Sequence, residues 1–177
     1  MIDLRSQLHC GNILSEKYDQ IGPKAFGYWI QGIAAHLLLE IGASVTEIKS
    51  SGHPDVTAML KGGNVRLEVE VDSSGYGRHL LDNADIESLR PQSALDQGFY
   101  ALLRRITRPA WILVPHGNLL GIDAAMLIPI IETRKDREWS ELWTAIFIKL
   151  INNNSALCKQ SFNQLCRMAM NSHNFNS

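Results

Sequence analysis

The segment at residues 65–72 constrains the fold more than any other part of the sequence, because apolar and charged side chains alternate along it without exception. A period of two predicts a β-strand whose side chains point to opposite faces. One face is wholly apolar, so we expect it to pack against helices. The other face carries only charged side chains, namely Arg66, Glu68, Glu70 and Asp72.

The residues before this strand predict a β-hairpin. Residues 55–60 form a second strand, and the glycine-rich turn at 61–64 has a length that joins two antiparallel strands. Such a hairpin returns Asp55 to a position beside Glu68 and Glu70. Converging carboxylates suit Mg²⁺, a hard cation that takes oxygen ligands. An exposed edge strand would carry the same acidic residues without any ligand, and at the level of sequence this alternative stays open.

The remaining pattern predicts an α/β fold with a small mixed β-sheet flanked by helices. Helices are expected at residues 1–24, 28–41, 79–90, 94–106, 138–151 and 156–170. Further strands are expected at 43–49 and 111–114. We interpret residues 1–177 as a single domain, with its core at about 28–115 and a C-terminal helical region at about 124–170.

Composition argues against several classes of protein. No apolar run approaches the roughly 20 residues of a membrane span, and the three cysteines lack the spacing of a disulfide framework or a zinc site. The glycines at 75 and 77 lack the third glycine of a nucleotide-binding loop. We therefore expect a cytoplasmic protein with no membrane contact and no nucleotide cofactor. A net charge of −1 neither favours nor excludes nucleic acid.

The residues around Asp55 and Glu68 resemble a known signature. Residues 52–55 read Gly-His-Pro-Asp, and after twelve intervening residues, the last of them the apolar Leu67, comes Glu68-Val69-Glu70. This pattern is similar to the PD-(D/E)xK nuclease superfamily, the restriction endonuclease-like proteins. In that family a Pro-Asp dipeptide opens one strand and (D/E)-x-K lies on the next, in a core ordered helix, three strands, helix, strand. The resemblance covers about residues 28–115, and Glu70 replaces the lysine, which gives an ExE variant of the motif.

The resemblance implies an Mg²⁺-dependent endonuclease that hydrolyses DNA phosphodiester bonds, of restriction or repair type, with Mn²⁺ able to replace Mg²⁺. Asp55 and Glu68 would hold the ion with the backbone carbonyl of Val69, and Glu70 would position or deprotonate the attacking water. Glu70 cannot supply the positive charge of a lysine. A catalytically inactive module of the same fold, binding DNA or a protein partner, therefore stays open as an alternative.

Further site residues are predicted around this centre. Glu40 matches the acidic residue that the family contributes from its first helix, so it is a third candidate metal ligand, although a place in solvent suits it equally. Arg66, Arg78 and His79 are candidates for substrate binding. Arg66 is alternatively a neutralising partner of Glu68. His53 is expected either to orient a carboxylate or to act in capping.

Two other groups carry predictions of their own. Arg104, Arg105 and Arg108 are expected at a helix C-terminus, where the helix dipole favours them whether or not they contact DNA. The apolar stripe with Trp139 and Trp143 is interpreted as core or as the face of a homodimer, which restriction-type nucleases commonly form.

Overall fold

A computed structural model of the protein describes residues 2–72, 78–80, 83–122 and 125–172, with only the backbone described at 78–80 and 125–130. The strands of this part of the chain are β1 (Ser44–Ile48), β2 (Val56–Leu60), β3 (Gly63–Asp72), β4 (Arg78–Leu80), β5 (Gln97–Arg104), β6 (Ala110–Pro115) and β7 (Ala125–Leu127). Its α-helices are α1 (Leu4–Glu40), α2 (Asn83–Ser88), α3 (Ile128–Thr133), α4 (Arg137–Asn153), α5 (Ser155–Cys158) and α6 (Phe162–Asn171).

The predicted fold class is confirmed, because five strands form a mixed sheet in the order β1-β2-β3-β5-β6 with helices packed on it. Strands β3 and β5 are parallel, and the other neighbours in this sheet are antiparallel. The core order of helix, three strands, helix and strand is present as α1, β1, β2, β3, α2 and β5, with β4 inserted before α2. The hairpin of β2 and β3 therefore lies within the sheet, next to its centre.

The apolar face of β3 packs on α1 as its alternation predicts. Val65, Leu67 and Val69 are buried in the main core, which α1 shares with α4 and α6. A second, smaller core lies on the opposite side of β5 and β6 and includes Leu89 and Tyr100. Because apolar side chains cover both faces of β5, this strand is buried on both sides.

Helix α1 contains a break where the sequence predicts one. Gly22 has φ 84° and ψ 168°, which interrupts the helical backbone, and Pro23 follows it without an N–H to donate. The segment beyond the break carries the large buried side chains of the helix, among them Trp29 and Ile33. The break thus separates a first helical segment from the one that packs on the sheet.

The helix predicted at residues 94–106 is wrong, because this segment forms β5 in the middle of the sheet. Residues 99–103 are continuously apolar and all are buried, and such a run does not distinguish a buried strand from a buried helix. Gly98 permits the close approach of the preceding segment, since an added Cβ atom would lie 1.9 Å from the Leu89 carbonyl oxygen. The expected helix C-terminus at Arg104, Arg105 and Arg108 is therefore wrong as well.

The remaining differences concern short elements. Residues 79–90 are predicted as one helix but form the end of β4 and the six-residue helix α2. The prediction at 138–151 is confirmed by α4. Its Trp143 is buried against Trp111, and Trp139 packs on Phe99, so the tryptophan stripe belongs to the core. No helix in the described ranges combines the length and the apolar character needed to cross a membrane.

Candidate metal centre

A cleft of about 320 Å³ opens between α1, the loop before β2, and β3. We call it the carboxylate cleft, because Asp55, Glu68 and Glu70 all line it. Its other lining residues are Lys24, Gly27, Tyr28, Gln31, Ser50, Ser51, Gly52, His53, Val69 and Val71. The structure therefore brings together the three carboxylates that the sequence predicts as catalytic.

Asp55 is held rigidly at the start of the hairpin. Its Oδ2 accepts a hydrogen bond of 2.8 Å from the Val69 backbone N–H, and the pairing of Val56 with Leu67 places its carboxyl group beside that of Glu68. The backbone is fixed as well, since the Lys49 N–H donates to the Asp55 carbonyl over 2.9 Å. The buried Gln31 amide donates to the Lys49 carbonyl at 2.5 Å, which anchors this loop to α1. The hairpin thus places Asp55 and Glu68 within reach of one ligand.

Glu68 is buried, with 4% of its surface exposed. Loss of solvent raises its pKa to about 9, and the negative charges of Asp55 and Asp85 add to the effect. Burial also raises the pKa of Asp55, although the Val69 N–H opposes the shift. Acidic groups confined in this way are stabilised by a cation, so the donor set fits a hard divalent ion. The alternative of a solvated edge strand is wrong, because Glu68 is buried and β3 lies inside the sheet.

Glu70 differs from Glu68 because its side chain is exposed. Its pKa is nevertheless raised, first by partial loss of solvent around the carboxyl group and then by the charges of Asp55 and Asp85. A carboxylate with a raised pKa is a stronger base near neutral pH than an ordinary glutamate. Glu70 therefore lies in the cleft with the properties of a proton acceptor.

Three further residues, His53, Asp85 and Ser88, contact one another or Glu68 in this cluster. The imidazole Nδ1 of His53 lies 2.8 Å from Glu68 Oε1 and 2.9 Å from Asp85 Oδ1. Ser88 contacts the same Glu68 oxygen at 3.4 Å and donates to the Asp85 carbonyl at 2.7 Å. His53 therefore orients a carboxylate, which is one of its two predicted roles. Asp85 was missed by sequence reasoning, because a six-residue helix offers no periodicity and its only signal is an acidic residue in the first turn.

Glu40 does not reach this centre. It is exposed at the end of α1, whereas the helix residues that line the cleft end at Gln31. Glu40 lies nine residues beyond Gln31, about 13 Å along the helix. It is not among the residues that line the cleft, and its role as a metal ligand stays a prediction.

The predicted substrate contacts have different outcomes. Arg66 turns away from the cleft, because its Nη1 lies 3.5 Å from Asp96 Oδ2 and 3.4 Å from the Arg90 carbonyl oxygen. The side chains of Arg78 and His79 lie outside the described residues. Among the described residues that line the cleft, Lys24 is the one lysine or arginine. Lys24 was not predicted as a site residue. Its position two residues after the break at Gly22, where the segment of α1 that packs on the sheet begins, is the feature of the sequence that marks it.

Comparisons with known proteins give a limited result. A scan against protein-family models finds no match, and neither does a search of curated proteins. Among solved structures, the chain is similar to Hjc of Archaeoglobus fulgidus, a Holliday junction resolvase from an archaeal hyperthermophile. The two chains are 16% identical, the match covers 60% of this chain and 90% of that chain, and the TM-score is 0.44. At this identity and TM-score the likeness assigns no function.

Proposed function

We propose that the protein is a divalent-metal-dependent nuclease of the restriction endonuclease-like class that hydrolyses DNA phosphodiester bonds. The observation that carries the proposal is the placement of Asp55 beside Glu68, which the pairing of β2 with β3 brings into one open cleft. The pair lies at the two motif positions whose resemblance predicts metal ligands. The α/β core around it has the element order expected for that family.

Asp55 and Glu68 would hold Mg²⁺ or Mn²⁺ together with the backbone carbonyl of Val69. The bond from the Val69 N–H keeps the Asp55 carboxylate aligned with β3, so little movement is needed to bind the ion. When bound, the ion would lower the pKa of a water molecule and offset the charge that builds on the phosphate. Gln31 maintains the site by fixing the loop that carries His53 and Asp55.

In the family that the motif resembles, the lysine of (D/E)-x-K both positions the attacking water and supplies positive charge. In this protein Glu70 takes the first role and Lys24 the second. Glu70 accepts the proton of the attacking water, for which its raised pKa suits it. Lys24 supplies the positive charge, because it is exposed at the rim of the same cleft and free to meet a phosphate oxygen. Cleavage of both strands of a duplex would require two copies of the site, so we include a homodimer in the proposal.

The replacement of lysine by Glu70 supports a second candidate, a catalytically inactive module that binds DNA or a protein partner. Both candidates use the same cleft, and they differ in whether phosphodiester bonds are broken. A cleavage assay therefore separates them.

The test is the conversion of supercoiled plasmid to nicked and linear forms with Mg²⁺ or Mn²⁺, against the same reaction in EDTA. We expect metal-dependent cleavage by the wild type and none by Asp55→Asn or Glu68→Gln. The matched control is Glu141→Gln, an exposed acid-to-amide change on α4 that should cut at the wild-type rate. Equal rates for all four proteins would refute the site. DNA binding without cleavage by the wild type would favour the inactive module.

A further inference from the structure

The carboxylate cleft contains a second group of ligand atoms besides the pair of Asp55 and Glu68. His53 Nδ1 lies 2.8 Å from Glu68 Oε1 and 2.9 Å from Asp85 Oδ1, and one ligand atom from each of these residues lies within 4.8 Å of the other two. Neighbouring ligand atoms of a six-coordinate ion with bonds of about 2.0–2.2 Å are roughly 3 Å apart. The spacing of these atoms therefore matches the ligands of one ion.

The chemistry of this group differs from that of the motif pair. The His53 ring nitrogen lies within hydrogen-bonding distance of one oxygen of each of the two carboxyl groups. A divalent cation bound beside His53 would contact the same two oxygens, Glu68 Oε1 and Asp85 Oδ1, and would carry more positive charge than the imidazole. The two carboxylates are nearly desolvated, with 5% and 15% of the Glu68 and Asp85 side chains exposed, while 41% of the His53 side chain is exposed. An ion can thus enter from the His53 side to a preformed pair of buried oxygens.

Tyr100 provides an independent indication of a ligand. It is 1% exposed, and among the described residues its hydroxyl has no hydrogen-bond partner. Tyr100 on β5 pairs with Glu68 on β3, so both side chains lie on the same face of the sheet. Burial raises its pKa, and the charges of Glu70, Asp85, Glu68 and Asp72 raise it further. A buried hydroxyl without a partner destabilises the fold, and a bound ligand that accepts its hydrogen bond would remove this cost.

We propose that His53, Glu68 and Asp85 form a second cation position, selective for divalent ions that accept an imidazole ligand, with Mn²⁺ as the probe, over Mg²⁺. Imidazole suits Zn²⁺, Cu²⁺, Fe²⁺ and Ni²⁺, whereas Mg²⁺ keeps oxygen ligands and water. Mn²⁺ also favours oxygen ligands, and it is the probe because its unpaired electrons detect a coordinated nitrogen. The Tyr100 hydroxyl donates a hydrogen bond within the hydrated site. The position shares Glu68 with the motif pair, and any role in cleavage rests on the proposed function, whereas ion binding itself does not.

The test uses the untagged full chain with Mn²⁺ in the presence of excess Mg²⁺. Calorimetry measures Mn²⁺ binding, and pulsed electron paramagnetic resonance detects coupling between Mn²⁺ and a ligand nitrogen. We expect the wild type to bind Mn²⁺ despite Mg²⁺ and to show nitrogen coupling. His53→Gln should lose the coupling, and Asp85→Asn should bind at least about tenfold more weakly. His9→Gln, a change at an exposed histidine of α1, is the matched control and should behave as the wild type.

Tyr100→Phe separates ligand binding from folding. Because it removes a hydroxyl that has no hydrogen-bond partner among the described residues, the variant should unfold at the same temperature as the wild type or a higher one. We expect its Mn²⁺ affinity to fall several-fold. Unchanged affinity would remove Tyr100 from the proposal.

Absence of nitrogen coupling in the wild type, or displacement of Mn²⁺ by Mg²⁺ in proportion to concentration, would overturn the second position. The outcome is distinguishable from failure of the proposed function. Plasmid cleavage without nitrogen coupling would support the nuclease proposal and refute the second cation position. Nitrogen coupling without cleavage would support the second cation position and refute the nuclease proposal.

Discussion

Asp96 and Glu68 lie at different points along β3, and their surroundings shift the two pKa values in opposite directions. Asp96 lies beside the start of the strand, where its oxygens accept hydrogen bonds of 3.0 Å from the backbone N–H groups of Asn64 and Gln92. These donors, with Ser93 and Arg66, lower the pKa of Asp96 to about 2. Glu68 lies in the middle of the strand beside other acidic groups, and its pKa is raised to about 9.

The difference separates a structural carboxylate from a ligand-binding one. Asp96 is surrounded by donors that the protein itself supplies, so its charge fixes the turn before β5 to the hairpin. Glu68 is buried and Asp55 half-buried beside it, and the imidazole of His53 contacts both Glu68 and Asp85. A cluster of this kind is stabilised by a cation from outside the chain, whereas Asp96 needs none.

The largest expected effect follows from neutralising the ligand-binding group. Glu68→Gln should reduce metal-dependent plasmid cleavage by about a thousandfold or more, because an ion contributes several kcal/mol to the stability of the transition state. In EDTA the variant should unfold at the wild-type temperature or above it, since an amide that cannot ionise replaces a buried acid whose ionisation is unfavourable in the fold. A variant that loses activity only because it is unfolded at the assay temperature would contradict this explanation.

The structural group should respond in the opposite way. Asp96→Ala removes the acceptor for Asn64, Gln92 and Ser93, so we expect a lower unfolding temperature. The rate of cleavage per folded molecule should stay close to that of the wild type, because Asp96 does not line the carboxylate cleft. Thermal unfolding followed by circular dichroism, with cleavage measured well below the transition, tests both parts. Lost cleavage with an unchanged unfolding temperature would reverse the assignments.

A smaller effect is expected at the rim of the cleft. Lys24→Ala should weaken cleavage by about tenfold through loss of one charge-assisted contact to phosphate, with the effect decreasing at high salt. Lys149→Ala is the matched control, because this lysine is exposed on α4 away from the cleft. Steady-state rates at two ionic strengths measure the difference. Equal rates for the two variants would exclude Lys24 from substrate binding.

The smallest effect concerns the pH dependence of stability without metal. The pKa of Glu68 rises from 4.5 to about 9 on folding, so its contribution is fully present below pH 4.5 and is lost as the pH rises towards 9. We therefore expect the unfolding temperature in EDTA to fall by a few degrees over this range, and Glu68→Gln to flatten the fall. Asp96 acts in the opposite direction, since its lowered pKa gives stability above pH 3.8 that is lost near pH 2.

The parts of the molecule that sequence predicts are those with a local pattern. Alternation in β3 and the glycine turn define the hairpin, and the hairpin alone brings Asp55 to Glu68. Helices α1 and α4 follow from apolar spacings of three and four. The tryptophans of α4 face the core for the same reason.

The parts that sequence missed depend on contacts between distant segments. Strand β5 lies between β3 and β6, so both its faces are buried and its apolar run carries no period. Asp85 reaches the site because α2 connects two parallel strands, and no pattern in six residues reveals this. Arg66 shares a face with Glu68 in the sequence pattern, but Asp96 from the neighbouring loop determines where its guanidinium lies.

The central claim is that Asp55 and Glu68 together hold a divalent ion, and calorimetric titration of Mg²⁺ into the untagged protein tests it most directly. We predict that the wild type and Glu141→Gln bind Mg²⁺ alike, while Asp55→Asn and Glu68→Gln give no binding heat. Absence of Mg²⁺ binding by the wild type, or equal binding by all four proteins, would contradict the claim.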